Sequence, residues 1–155
     1  MKRTRKGFTL VELLIVIVVI GILSAMMMLS SNEATTTARA NNITSNLRNL
    51  KTAGLAYYTD NMNGSFDKDS VKKGMFEYLS GKTEIPDSKD YEVVIPTSGS
   101  DEGKWYIKYT FPTKMASLSR VKTKVAGRTK ALGLLNGDHN GEFKNTDLAV
   151  VLRVR

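Results

Sequence analysis

The sequence predicts an α+β fold: one long N-terminal helix, its first half apolar enough to span a membrane and its second half packed against a small antiparallel β-sheet. Three observations predict it. Phe8 to Leu29 is an apolar run of 22 residues with one charge, Glu12. No proline occurs before Pro86, so nothing forces a helix to stop until the turn-forming stretch Asp60-Asn61-Met62-Asn63-Gly64. Lys104 to Phe111 then alternates, with Trp105, Ile107, Tyr109 and Phe111 on one face and Lys104, Tyr106, Lys108 and Thr110 on the other, the pattern of a half-buried strand.

At about 1.5 Å per residue, the helix from Phe8 to Leu29 is roughly 33 Å long, enough to cross a hydrocarbon core of about 30 Å. Lys2, Arg3, Arg5 and Lys6 precede it. Basic residues stay on the cytoplasmic side, so the chain is expected to be single-pass with its C-terminal part outside. An ordinary secretory signal has a shorter apolar region, of about 7 to 15 residues, and a small-x-small cut site. Here a cut after Ala25 would place Leu23 where a small residue belongs. A carboxylate in the run is costly, though less so near the interface. A plain anchor explains the length of the run but not Gly7 or Glu12.

Gly7-Phe8-Thr9-Leu10-Val11-Glu12-Leu13-Leu14-Ile15-Val16 resembles the class III signal of type IV prepilins and type II secretion pseudopilins. The resemblance covers about the first 30 residues. It implies that a prepilin peptidase cuts after Gly7 and N-methylates Phe8, and that Glu12 is the carboxylate used in assembly. The new Phe8 ammonium would lie about one helical turn from Glu12, so that Glu12 of one copy can meet the Phe8 ammonium of a neighbour and set their stagger. The family commonly carries a proline where this chain has Leu29, so a kink is not expected there. Gly21 with Ser24 and Ala25 permits close helix approach. Met26-Met27-Met28 reads as adaptable packing.

A chain of 155 residues has room for one small domain beside such a helix. The net charge is +8, but four positive charges lie in the leader; without them 19 basic residues face 15 acidic ones, a net +4. The high charge is therefore in part an address signal. Cysteine is absent, which excludes disulfides, thiolate metal sites and a cysteine nucleophile. Many pilins close a C-terminal loop with a disulfide, and this chain has to hold that region by other means.

The expected organisation is a leader at 1–7, a membrane and filament-core segment at 8–29, an amphipathic half-helix at 30–61 and an outer α+β domain at 62–155. Ile43, Leu47, Leu50, Ala53, Gly54 and Tyr57/Tyr58 form one apolar stripe, and the whole helix is about 50 residues, roughly 80 Å. Ser70 is expected to cap a short helix, Val71 to Leu79, closed by Gly81. Tyr91 to Ile95 is β-rich, and Ser98 to Gly103 reads as a hairpin loop. Met115, Leu118, Val121 and Val125 favour a helix from Thr113 to Ala126, stopped by Gly127; a strand is the competing reading. Ala131 to Leu135 and Leu148 to Val154 are the last expected strands, with a turn at Asn136 to Gly141.

Candidate sites outside the N-terminus are few. Arg120, Lys124 and Arg128 form an i, i+4 stripe that could track phosphates, against the simpler reading of a solvated face or of contacts with neighbouring subunits. Asp138, Asn140 and Glu142 resemble part of an oxygen-ligand calcium loop, with Asp60, Asn61, Asn63 and Asp67 a looser set; turn chemistry alone explains both. No cofactor is expected apart from that calcium option. His139 is a turn residue expected at the surface, and no second group orients it as a base. Trp105 reads as core.

The expected function is a structural, non-enzymatic subunit of a type IV pilus. The resemblance implies partnership with other pilins in a homo- or hetero-oligomeric filament, with prepilin peptidase, and with an inner-membrane platform protein and an assembly ATPase. It implies passage from the cytoplasmic membrane to an extracellular pilus or a periplasmic pseudopilus. The alternatives are a pseudopilin of a type II secretion or competence system and, more distantly, a membrane-tethered module that binds nucleic acid or a surface. If the peptidase needs the backbone close at its cut, Gly7→Val leaves full-length precursor. Mass spectrometry of the mature wild type then shows an N-methylated Phe8, whereas an unmethylated start at Met26 overturns the reading.

Overall fold

A computed structural model of the chain describes residues 7–62, 64, 66–79, 88–97 and 100–155, with Leu29 and Ser88 described by backbone alone. The elements are α1 (Leu10–Asp60), α2 (Lys68–Glu77), a 3-10 turn (Ser88–Asp90), β1 (Tyr91–Val94), β2 (Tyr106–Thr110), α3 (Leu118–Ala126), α4 (Thr129–Leu132), β3 (Leu134–Asn136) and β4 (Ala149–Arg153). The fold is α+β, as the sequence predicts. The chain divides into two compact units, one ending at Thr35 and one from Thr36 to Arg155.

In the first unit, α1 is long and apolar enough to cross a membrane. Its described side chains from Leu10 to Met28 are exposed on every face, including Ile20 at 56% and Met27 at 76%. A helix that is apolar all round is built to be covered by lipid or by other helices. The helix runs unbroken through position 29, as expected of a chain without proline there.

In the second unit, Thr36, Ala40, Ile43, Leu47, Leu50 and Gly54 of α1 are buried. They recur at alternating steps of four and three, a seam that stays on one side of the helix. The stripe begins two turns earlier than the apolar residues alone announce, because Thr36 and Ala40 belong to it. Four antiparallel strands in the order β1-β2-β4-β3 supply the opposing surface. Val93, Ile107, Leu152 and Leu134 pair in one row across all four strands. Tyr91, Tyr109 and Val150 form the next row on the same face, two residues along each strand. Both rows share one core with Leu47 and Leu50.

Trp105 is buried beside the sheet, and its ring stands edge-on to Phe66 at 4.8 Å and to Tyr58 at 5.4 Å. This aromatic group closes the core near the end of α1. The predicted solvent face of β2 is not uniformly wet. Tyr106 and Val151 are buried on the side away from the main core. His139 stacks on Tyr106 at 4.2 Å, and Gly137 comes close to the Ala149 side chain, so the turn after β3 folds over that face.

Several boundaries differ from the sequence expectation. Asp67, not Ser70, caps α2: its Oδ1 accepts from the backbone N–H groups of Asp69 and Ser70 at 3.0 and 3.1 Å. An ionised carboxylate three residues upstream is a strong acceptor for these otherwise unpaired donors. Gly81 lies outside the described residues. α3 starts at Leu118 and not at Thr113, because Ser117 takes a left-handed conformation, φ 58°, after the turns that follow Pro112. Ala131 and Leu132 are helical; Gly133, at φ 64°, ends α4, and β3 starts only at Leu134. Both pieces hold local bonds that the apolar pattern does not reveal.

Two substitutions test the core. Leu47 is fully buried, so Leu47→Ala is expected to cost about 2 to 5 kcal/mol in denaturant unfolding of a fragment starting near Asn32. Gly74 lies under the Tyr57 ring, 2.1 Å from where a Cβ would sit. Gly74→Ala should therefore destabilise the fragment by about 1 to 3 kcal/mol, although alanine is the better helix former. A stabilised Gly74→Ala fragment would show that Tyr57 is not held against α2.

Candidate functional site

The N-terminal candidate residues meet at the first turn of α1. Thr9 precedes the helix, and Glu12 is its third residue. The Thr9 backbone N–H and hydroxyl each donate to Glu12 Oε2 at 2.8 Å. The Glu12 N–H donates back to Thr9 Oγ1 at 3.2 Å. This is a capping box: the hydroxyl satisfies one unpaired donor of the first turn, and the carboxylate satisfies another. The carboxylate also lies at the positive end of the helix dipole. Sequence reasoning singled out Glu12 and missed Thr9. The signal was present, since Thr-x-x-Glu at the head of an apolar run marks a helix start.

Gly7 has open space where a Cβ would point, as has Gly21. The fold itself therefore does not require glycine at position 7. Any such requirement comes from something that approaches the chain there. Phe8 is exposed beside it, at 77%.

The remaining candidates are scattered. Asn140 Oδ1 accepts from Asn136 Nδ2 at 2.7 Å, and the Asn140 N–H donates to Asn136 Oδ1, so Asn140 serves the turn. Asp138 and Glu142 are exposed. Among the described residues, no group of three or more His, Cys, Asp or Glu is placed to hold a metal ion. In the looser set, Asp60 accepts from the Tyr78 hydroxyl, Asn61 Nδ2 donates to Tyr57 O and Asp67 caps α2. Asn63 lies outside the described residues.

The basic stripe is not one surface. Arg120 is exposed on α3, whereas Arg128 lies beyond its C-terminus and donates to Thr44 Oγ1 and Asn41 Oδ1 on α1. Lys122 is buried, its ammonium 5.5 Å from the centre of the Phe111 ring. His139 is half-buried at φ 62°, with Nε2 shielded and unpaired, unlike the open surface residue expected of a turn.

Hydrogen bonds from Ser70 hold the Asp67 carboxyl below its usual range, and one from Lys68 does the same for Glu92. Burial, then Asp101, raises the Tyr106 phenol. The two carboxylates bind protons less readily in the folded chain. Their stabilisation is present above the ordinary carboxylate pKa of about 4 and is lost as pH falls through the folded values.

Residues 2–28 match the family model of the prokaryotic N-terminal methylation motif. This is the class III prepilin signal of type IV pilins and pseudopilins. The motif supports a type IV pilin or pseudopilin family member, and the family that carries such a motif is a structural one. It implies processing by prepilin peptidase and assembly with other pilins. No curated protein and no solved structure gives a significant match.

Thr9→Val tests the capping box while leaving Glu12 in place. In detergent micelles the amides of Thr9 and Glu12 should exchange faster with solvent, and those around Leu47 should not change. Unaltered exchange at the first turn would show that Thr9 does not hold it.

Proposed function

We propose that the chain is a filament subunit of a type IV pilus. In this reading residues 1–7 are removed, Phe8 is N-methylated, segment 8–29 bundles with its equivalents and the α+β part forms the filament surface. The observation that supports it is the apolar helix, exposed on every face and headed by Gly7-Phe8 with Glu12 in its first turn. Lipid covers such a helix before assembly, and neighbouring helices cover it afterwards. Cleavage would place the Phe8 ammonium beside a carboxylate already held at the helix start. A neighbour's carboxylate and this ammonium compensate each other only when the two helices are correctly staggered. The platform protein and the assembly ATPase belong to the same reading, as does an outward-facing α+β part.

The capping box determines which variant tests the charge. Glu12→Gln keeps an acceptor for the Thr9 donors and removes only the charge. It should insert into the membrane and start its helix normally, yet lower filament yield as strongly as Glu12→Leu. A normal yield of Glu12→Gln filaments would mean that the charge pair does not drive assembly.

A further inference from the structure

The α+β unit carries a cationic cleft of its own. Asn41, Thr44, Ser45 and Arg48 follow one another on a single face of α1, and Arg128 and Leu132 face them across a cleft of about 330 Å³. Among the described residues that line it, the cleft has two guanidinium groups and no carboxylate. The ion pairs found among the described residues, Lys68–Glu92 and Lys104–Asp101, involve neither arginine. Among the described residues, two like charges are thus gathered in a concavity without an internal counter-charge, an arrangement that concentrates positive potential.

The donors are also in surplus. Arg128 donates to Thr44 Oγ1 at 3.0 Å and to Asn41 Oδ1. A guanidinium carries five N–H donors, so the two bonds that orient it leave three others. Thr44 is buried, and its own hydroxyl proton goes to the backbone carbonyls of Ala40 and Asn41, each at 3.0 Å. It therefore serves as a fixed acceptor that aims Arg128. Arg48 is exposed at the rim with its five donors, and Ser45 adds a hydroxyl.

We propose that this cleft is a binding site for a phosphate monoester on a small organic group. A monoester carries between one and two negative charges and three acceptor oxygens, which suits two guanidiniums and a hydroxyl. The cleft is larger than a bare phosphate needs, and Leu132 gives the organic part an apolar wall. A discrete ligand fits better than a nucleic-acid backbone. Arg120 and Lys124, which a track of phosphates would need, do not line the cleft.

The test uses the full chain in detergent micelles, at constant ionic strength, with arginine Nε–H and backbone amide resonances followed by NMR. Titration with glycerol 3-phosphate should give saturating shifts confined to residues 41–48 and 128–132, at lower concentration than inorganic phosphate. Arg48→Gln, at an exposed position that leaves the core intact, should weaken binding about tenfold, the effect expected of losing a charged hydrogen-bonding partner. Arg128→Lys keeps the charge but loses the planar donor pair, and should weaken binding by a similar factor. Shifts that stay linear, that chloride reproduces or that survive Arg48→Gln overturn the proposal. A duplex oligonucleotide that displaces the ester and needs Arg120 and Lys124 would replace the discrete site with a polymer track.

Discussion

The α+β unit depends on one seam. Thr36, Ala40, Ile43, Leu47, Leu50 and Gly54 recur so regularly that a single side of α1 enters the core. The sheet answers with two aligned rows, and one of them, Val93–Ile107–Leu152–Leu134, is apolar across every strand. A one-residue slip of β2 would turn Ile107 and Tyr109 outward together, so the burial that stabilises the sheet also fixes its register. Position 54 of the seam has little room to spare. A side chain there would come within about 3 Å of Met75 and Val154.

No disulfide is available to close the C-terminal region, and the structure shows what holds it instead. β4 is the second central strand, paired on both sides. Its pairing continues past both ends, where Phe111 N–H donates to Leu148 O and Val154 N–H to Trp105 O. The Thr129 hydroxyl, itself buried, donates to Phe143 O at 3.1 Å and ties α4 to the long connection between β3 and β4. A central strand leaves few unpaired backbone groups, so this end of the chain is held by the ladder.

Where one period ran long enough, the sequence was informative. The apolar run and seam of α1, the alternation of β2 and the apolar run of β4 each extend over enough residues to show in the sequence. Short elements escaped where local bonds outweighed apolar pattern. Asp67 took the cap from Ser70, and Gly133 ended a helical turn that Ala131 and Leu132 share with Thr129. Tyr106 reads as an outward residue on an alternating strand, and only the fold of a distant turn brings His139 over it. At the N-terminus the motif marked Gly7, Phe8 and Glu12, while Thr9 lay unread beside them although its spacing to Glu12 was visible. The position of Arg128 could not be read at all. Its partners, Asn41 and Thr44, lie more than eighty residues away, and a helical wheel through Arg120 and Lys124 assigns it to the wrong element.

Two sets of methionines in this chain differ sharply in their surroundings. Met75 has no exposed surface, whereas Met26, Met27 and Met28 stand open on the apolar half of α1. A thioether accessible to an oxidant becomes a sulfoxide, which exchanges a soft apolar side chain for a polar one. Three such conversions in adjacent positions would ring the helix with dipoles, since consecutive residues point about 100° apart. Burying that band would therefore also shield its sulfurs from oxidants, and an oxidised band would suit neither hydrocarbon nor a tight helix bundle.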